Sequence, residues 1–216
     1  MHYKEKIAAR AAKELKNGQI VNLGIGLPTL ILEHLPAGVE VFVHSENGIL
    51  GMGKRCREEE ADPMLIDSGG SYIFSRTGAS FFDSALSFSL VRGGRLDVAV
   101  LGTLEVAENG DLANWIIPGK FAPGIGGGME LAQKARRLIV TTAHTTRKGD
   151  PKILPECTLP VTAKGCVDLI ITELAVFAVE DKRLFLRELA READLDDVLE
   201  KTGAEVVVPQ GDIPVF

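Results

Sequence analysis

The chain is poor in cysteine. Cys56, Cys157 and Cys166 are the three in 216 residues, widely spaced, with no CxxC pair and no histidine-rich run of the kind that holds zinc. No bound metal is expected. An odd number of scattered thiols reads as free cysteines in a reducing cytoplasm. A basic surplus is also missing: 24 Lys and Arg stand against 30 Asp and Glu, a net charge of −6. Little is present to displace counterions from a phosphate backbone, so nucleic acid is not the expected partner. A small anionic ligand stays open, because glycine loops and helix N-termini bind anions whatever the total charge. No apolar run approaches bilayer length, so no membrane partner is expected. Met1 to Leu15 is charged and helical in pattern, unlike a signal peptide. The expectation is a cytosolic protein. No Ser/His/Asp set is evident, and no repeat, low-complexity tract or linker interrupts residues 1–216, which read as one domain.

With 45% apolar and 25% charged residues, the chain can build one large α/β domain with a substantial core. Residues 4–16 place Ile7, Ala8, Ala11, Ala12 and Leu15 on one helical face, and Asn17-Gly18 is the stop. Gln19 to Leu23 reads as a strand, Thr29 to Leu35 as a helix with Pro28 in its first turn, and Val39 to Val43 as a buried strand. Arg55 to Asp62 is a charged, exposed excursion. Met64 to Asp67 reads as a short strand and Ser68 to Ser71 as a turn. Phe81 to Val91, with Phe81, Phe82, Ala85 and Phe88 at helical spacing, reads as a buried helix. Leu96 to Leu101 and Leu138 to Thr142 are solidly apolar, as strands covered on both faces are. Glu108-Asn109-Gly110-Asp111 signals a hairpin with Leu112 to Ile117, including Trp115, as the return strand. The segment 143–150 is a polar loop; its His144 is a possible catalytic group, though a loop histidine is more often a bystander. Residues 154–163 read as an irregular surface crossing. Val167 to Thr172 and Ala175 to Val179 are strands, Arg183 to Arg187 a hairpin partner, Asp194 to Thr202 a helix, and Glu205 to Val208 a last strand. The fold class is therefore α/β: an open, mostly parallel sheet with helices on both faces and antiparallel additions.

Two loops stand out. In Ser45-Glu46-Asn47-Gly48-Ile49-Leu50-Gly51-Met52-Gly53, three glycines in six positions oppose both regular helix and regular strand. Glu46 thus sits where a strand ends and a glycine-rich loop begins, which is where open α/β sheets bind ligands. Alone, that carboxylate is open to four readings: nucleophile, general base, metal ligand or solvated turn residue. The second loop, Pro118 to Gly128, puts four glycines in the five positions from Gly124, directly before a helix near Met129. Its backbone N–H groups can approach a ligand closely, or the loop can be a plain connector. Gly24-Ile25-Gly26-Leu27-Pro28 makes a third glycine turn but lacks the third glycine of a dinucleotide-binding turn.

Taken together, Val21-Asn22-Leu23-Gly24-Ile25-Gly26-Leu27-Pro28-Thr29, the Ser45–Gly53 loop, Gly78-Ala79-Ser80-Phe81-Phe82, Arg92-Gly93-Gly94, Gly110-Asp111-Leu112-Ala113-Asn114-Trp115, Pro118-Gly119-Lys120 and Cys166 to Val176 carry a resemblance. The chain resembles, from about Lys4 to about Glu205, the B (beta) subunit of the 3-oxoacid CoA-transferases, the family I acyl-CoA:carboxylate CoA-transferases. The resemblance implies that Glu46 is the nucleophile. It implies that the Gly124–Gly128 loop offers a backbone N–H to the thioester, with Gly127 the choice and Gly126 and Gly128 beside it. Asn22 is implied near the acyl group, and Gly24, Gly26, Asn47 and Gly48 are taken as loop supports. Coenzyme A enters as substrate, and no cofactor is implied. The implied partners are acyl-CoA, small carboxylic acids and a separate CoA-transferase A (alpha) subunit, since no second domain precedes these residues, with the active site between the two chains. An acyl-CoA hydrolase on the same scaffold and a non-catalytic CoA-binding subunit are the alternatives.

Two departures accompany the resemblance. Ile66-Asp67-Ser68-Gly69-Gly70 carries Gly70 where the family often has a lysine expected near CoA. Thr77 replaces the proline of the familiar Pro-Gly-Ala-Ser-Phe-Phe, and Ser71 to Arg76 is also atypical. Both point to an unusual acid specificity or subgroup.

Overall fold

The computed structural model describes residues 2–120 and 124–216. In chain order, helix α1 (Tyr3–Ala12) and strand β1 (Ile20–Leu23) precede a 3-10 helix (Leu27–His34). Strands β2 (Phe42–Ser45), β3 (Ile49–Arg55) and β4 (Ile73–Phe81) follow, then α2 (Ser84–Arg92), β5 (Val98–Gly102), β6 (Glu105–Ala107), β7 (Leu112–Ala113) and α3 (Gly128–Lys134). The remainder is β8 (Leu138–Thr141), β9 (Ile153–Leu154), β10 (Leu169–Ile171), β11 (Ala175–Glu180), β12 (Arg183–Leu189), α4 (Leu195–Lys201) and β13 (Val206–Val207).

Among the described residues, ten strands form one sheet in the order β13-β12-β11-β10-β8-β5-β1-β2-β3-β4, and β7-β6-β9 form a smaller one. The centre, β10-β8-β5-β1-β2, is parallel throughout. Antiparallel strands extend it on both sides, β11 and β12 beyond β10 and β3 and β4 beyond β2. The central strands are apolar on both faces because both are covered. Successive residues point to opposite sides: Ile139 packs under α1 and the 3-10 helix with Ile7, Ala11, Val43 and Ile31, while Leu138 and Val140 pack under α2, α3 and α4 with Val91, Leu131 and Val198. Each such fully buried aliphatic side chain contributes about 1.5–3 kcal/mol. Arg10 ties α1 to the far strand: its guanidinium donates at 2.7 Å to both carboxylate oxygens of Glu188 and at 2.7 Å to Glu14.

The first parallel neighbours of β1 lie on opposite sides of it, β2 on one and β5 on the other. That reversal opens a crevice beyond the carboxyl ends of β1 and β5. Gly24, one residue past β1, crosses close to β5: its N–H donates to Val100 O at 2.8 Å, and a Cβ there would sit 3.2 Å from Leu101 Cδ2.

Several local expectations are corrected. The glycine string after Glu46 is not barred from strand structure. It forms β3, and the pairing with β4 slips between Leu50 and Met52, where Gly51 takes φ +94°. The glycine supplies a bulge instead of ending the strand. Phe81 does not begin a buried helix. It ends β4 and is 61% exposed, and α2 starts three residues later behind Asp83, whose side chain accepts from Leu86 N. Cap chemistry outranks the aromatic spacing. Met64 to Asp67 is no strand, only a bridge between Ile66 and Tyr72. The return strand after the Asn109-Gly110 turn stops at Ala113. The helix expected over Thr29 to Leu35 is present as a 3-10 helix, shifted to Leu27–His34. The polar loop carrying His144 buries that side chain completely. No helix among the described residues is long and apolar enough to cross a membrane.

Candidate active site

Asn22 and Glu46 meet because β1 and β2 run parallel and in step. Asn22 pairs with His44 across the ladder. Val21 and Leu23 face one core, so Asn22 faces the other side, and it is buried. Its Nδ2 donates to Glu46 Oε2 at 3.2 Å and to His44 O at 3.1 Å, and lies 3.3 Å from His44 Nδ1. Glu46 itself is half-buried, one residue beyond β2. The tight turn behind it depends on Gly48. The Gly48 N–H donates to Ser45 O at 3.0 Å. Its φ is +123°, and a Cβ there would lie 1.9 Å from Phe82 O. No side chain fits, so glycine is obligatory at this turn.

The opposite wall comes from the second glycine loop. Gly127 caps α3. A Cβ on Gly127 would lie 3.6 Å from Glu46 Cγ and 3.0 Å from the Phe88 ring. Glycine at 127 therefore leaves open the space beside the Glu46 side chain that a side chain would fill. Behind it, Asn114 donates from Nδ2 to Gly102 O at 3.2 Å and accepts at Oδ1 from Thr162 Oγ1 at 2.7 Å. A third wall is the 67–71 turn. Asp67 Oδ1 accepts from Gly69 N and Ser71 N at 2.9 and 2.8 Å, and Ser68 N donates to Ser45 Oγ at 3.1 Å. The cleft thus holds one carboxylate, one fixed amide donor and glycine backbone at the sheet's switch point.

The description "Coenzyme A transferase" belongs to a family model that matches residues 4–201. The chain belongs to the coenzyme A transferase family. It is 47% identical over 205 residues to the beta chain of a probable coenzyme A transferase from Bacillus subtilis, covering 95% of this chain and 94% of that one. It is 48% identical over 205 residues to the B-type chain of the succinyl-CoA:3-ketoacid coenzyme A transferase of Helicobacter pylori, covering 95% and 99%. The fold is similar to that of an acyl-CoA transferase apoenzyme from Escherichia coli O157:H7, at TM-score 0.80 and 23% identity, over all of this chain and 43% of that one. The sequence resemblance to the CoA-transferases is borne out at the level of the family, and the α/β reading at the level of the fold.

Within this family member the expected site residues separate into groups. Asn22, Glu46 and Gly127 come together. Gly126, at φ +51°, precedes the approach, and Gly128 sits nearest Asn114 rather than Glu46. Gly24 serves the close crossing of β1 over β5, and Gly26, at φ +91°, starts the 3-10 helix. Asn47 is exposed and donates to Ile66 O at 2.7 Å, tying the turn to the 67–71 wall. Gly70 has φ +80° with open space around it. Phe121, Ala122 and Pro123 of the expected glycine loop lie outside the described residues.

His44 and Ser87 belong to the site although the sequence reading passed over them. His44 Nε2 lies 2.9 Å from Ser87 Oγ, and both side chains are buried. Burial pushes the His44 pKa below its ordinary value, and Glu46 pulls it partly back. His44 is the third residue of β2 and Glu46 lies just past its end, so only the pairing of β1 with β2 brings both to Asn22. His144, by contrast, lies between Thr172 Oγ1 and Thr202 Oγ1, each at 3.0 Å, and has no bond to Glu46. Among the described residues, no three His, Cys, Asp or Glu side chains gather as a metal site would require. A groove of about 750 Å³ between the 3-10 helix and β2–β4 is lined by Leu30, Val43, Met52 and Arg76, and does not include Glu46.

Proposed function

We propose that this chain is the B-type member of a two-chain acyl-CoA:carboxylate CoA-transferase, acting with a separate A-type chain, and that Glu46 is its nucleophile. The observation that carries the proposal is the 3.2 Å approach of Asn22 Nδ2 to Glu46 Oε2, with Gly127 backbone facing the same side chain. A free acid is a poor nucleophile toward a thioester, and a protein carboxylate divides the exchange into easier steps. Glutamate needs no base, because its ordinary pKa of about 4.3 leaves it ionised at neutral pH.

The Glu46 carboxylate attacks the acyl-CoA carbonyl, forming a mixed anhydride and expelling CoA thiolate. The thiolate attacks the Glu46 carbonyl, giving a glutamyl-CoA thioester and the free donor acid. The acceptor carboxylate then attacks that thioester, forming a second anhydride and releasing thiolate. Attack of thiolate on the acceptor's carbonyl yields the new acyl-CoA and restores the Glu46 carboxylate. Each addition builds charge on a carbonyl oxygen. The Asn22 amide and the Gly127 N–H are assigned to meet it, where losing one such donor costs about 3–4 kcal/mol. Water must be kept from the anhydride and thioester. The exposed Ile25 (69%), Phe81 and Met129 border the cleft and suit coverage by the A-type chain. Binding of the remote parts of CoA supplies energy used at the reacting carbon. The three unpaired cysteines suit a reducing cytoplasm.

The relatives bear names of succinyl-CoA:3-ketoacid, acetate and 3-oxoadipate transferases. Succinate, acetate, 3-oxoadipate and a 3-ketoacid such as acetoacetate therefore form the first substrate panel, to which butyrate is added. The test is chemical. The complex is incubated with acyl-CoA and treated with borohydride or hydroxylamine, and modification is expected at Glu46 and absent in Glu46→Ala. Unmodified Glu46 in a turning-over complex refutes the assignment. CoA release that needs no acceptor acid identifies a hydrolase instead, and a fully active Glu46→Ala complex identifies a non-catalytic chain.

A further inference from the structure

Behind Glu46 runs a chain of buried polar groups of which the proposed reaction uses only Asn22 directly. It passes from Ser87 on α2 through His44 on β2 to Asn22 on β1, and ends on the Glu46 carboxylate. The distances are 2.9 Å from Ser87 Oγ to His44 Nε2, 3.3 Å from His44 Nδ1 to Asn22 Nδ2, and 3.2 Å from Asn22 Nδ2 to Glu46 Oε2. Ser87, His44 and Asn22 are each at most 2% exposed. Buried polar side chains outside a catalytic set are costly unless each partner is satisfied, so such a chain specifies one arrangement.

We propose that His44, anchored by Ser87, is a positioning residue that fixes the Asn22 amide with its N–H group toward Glu46. The inference rests on the reading of Glu46 as the nucleophile only for its catalytic consequence. The hydrogen-bond logic is self-contained. Asn22 Nδ2 carries two N–H groups, which donate to His44 O and Glu46 Oε2, and it also lies 3.3 Å from His44 Nδ1. A flipped amide would set Oδ1 against the carbonyl and the carboxylate. For Nδ1 to accept, the ring proton must sit on Nε2, where it donates to Ser87 Oγ. The other tautomer would set Nδ1–H against an amide N–H. A bare Nδ1 and His44 O both oppose an amide oxygen at that place, Ser87 Oγ accepts the Nε2 proton that accompanies the bare Nδ1, and the amide so oriented meets the carboxylate. Phe82 stacks beside the ring at 6.4 Å between centroids and 18° between planes, limiting its rotation. Burial keeps the ring neutral, against the pull of Glu46.

Three variants and one spectrum test this. In the complex, with acetyl-CoA as donor and acetoacetate as acceptor, His44→Leu is expected to lower kcat by about ten- to a hundred-fold with KM for acetyl-CoA little changed, the penalty of a slightly misplaced reacting group. Ser87→Ala should lower kcat less, in the same direction. His44→Gln should recover most of the loss, because its amide oxygen can accept from Asn22 and its amide nitrogen can donate to Ser87. Nitrogen-15 spectra of the full chain at neutral pH should show His44 with bare Nδ1 and protonated Nε2, and Ser87→Ala should perturb that state. A wild-type kcat in His44→Leu, a His44→Gln no better than His44→Leu, or a proton on Nδ1 overturns the proposal. If the wild-type complex forms no glutamyl-CoA thioester, the reading of Glu46 fails, and the ring spectrum still decides the positioning chain.

Discussion

Replacing His144 by glutamine isolates the pH dependence that one buried imidazole imposes on stability. His144 has no exposed surface. Thr202 Oγ1 donates to Val198 O at 2.7 Å, so it accepts from the ring Nε2–H. Thr172 Oγ1 lies 3.0 Å from Nδ1 and 3.1 Å from Ala175 O, and its single proton is shared between those two acceptors. Complete burial of the ring is what favours its neutral form. Burial, with Lys201 adding to it and Asp197 opposing, pushes the pKa from 6.5 down to about 4. The unfolded chain therefore binds a proton at higher pH than the folded chain does. Stability from this group is fully present above about pH 6.5 and is lost as pH falls toward 4. Going from pH 7 to pH 4, the loss is about 3 kcal/mol, about 2 of it by pH 5. Urea denaturation followed by far-UV circular dichroism, at steps from pH 7.5 to 4.5, gives the stability of wild type and His144→Gln. Carboxylates and the other histidines titrate in both proteins, so only the change in their difference matters. The wild-type advantage should shrink by about 2 kcal/mol or more over that range. Curves that stay parallel would refute the reasoning.

Gly48→Ala should cost at least about 2–3 kcal/mol, since it combines a left-handed φ with a backbone overlap; a urea midpoint within error of wild type would contradict the 1.9 Å approach to Phe82 O. Arg10→Ala leaves Glu188 without the guanidinium that holds both its oxygens at 2.7 Å and leaves Glu14 with Arg137 alone, and should cost about 1.5–3 kcal/mol. Arg10→Lys should recover only part of this, because the two-pronged contact to Glu188 is lost. Burial pushes the Cys157 and Cys166 thiols up to about 12, leaving roughly one part in ten thousand as thiolate at pH 8. Iodoacetamide followed by peptide mass mapping should leave both unmodified in the native protein and label them in urea; rapid native labelling would show that the packing around them opens.

Much of the site was legible because local chemistry placed it. An apolar run followed by Ser45-Glu46-Asn47-Gly48 puts a carboxylate at a strand end, and the glycines from Gly124 mark a second close approach. The solidly apolar β5 and β8 announced a sheet covered on both faces, and Asp194 announced the start of α4. The errors had two sources, a tertiary pairing that outweighed local preference and a local cap that outweighed spacing. Gly51 reads as a breaker until β4 lies beside it and turns the glycine into a bulge. Phe81 reads as the start of a helix because spacing alone ignores the Asp83 cap.

The amino-acid order by itself determined the class of layers, the existence of the central strands and the carboxylate poised near the end of one of them, because apolar patterning and glycine conformation act over a few residues. Only the tertiary structure decided what surrounds that carboxylate. His44 and Ser87 are 43 residues apart in the chain, yet they touch because α2 lands on β2. Asn22 reaches Glu46 because β1 and β2 pair in one register. A shift by one residue would turn Asn22 to the other face. Such contacts are fixed by the packing of whole elements, and no local pattern encodes them.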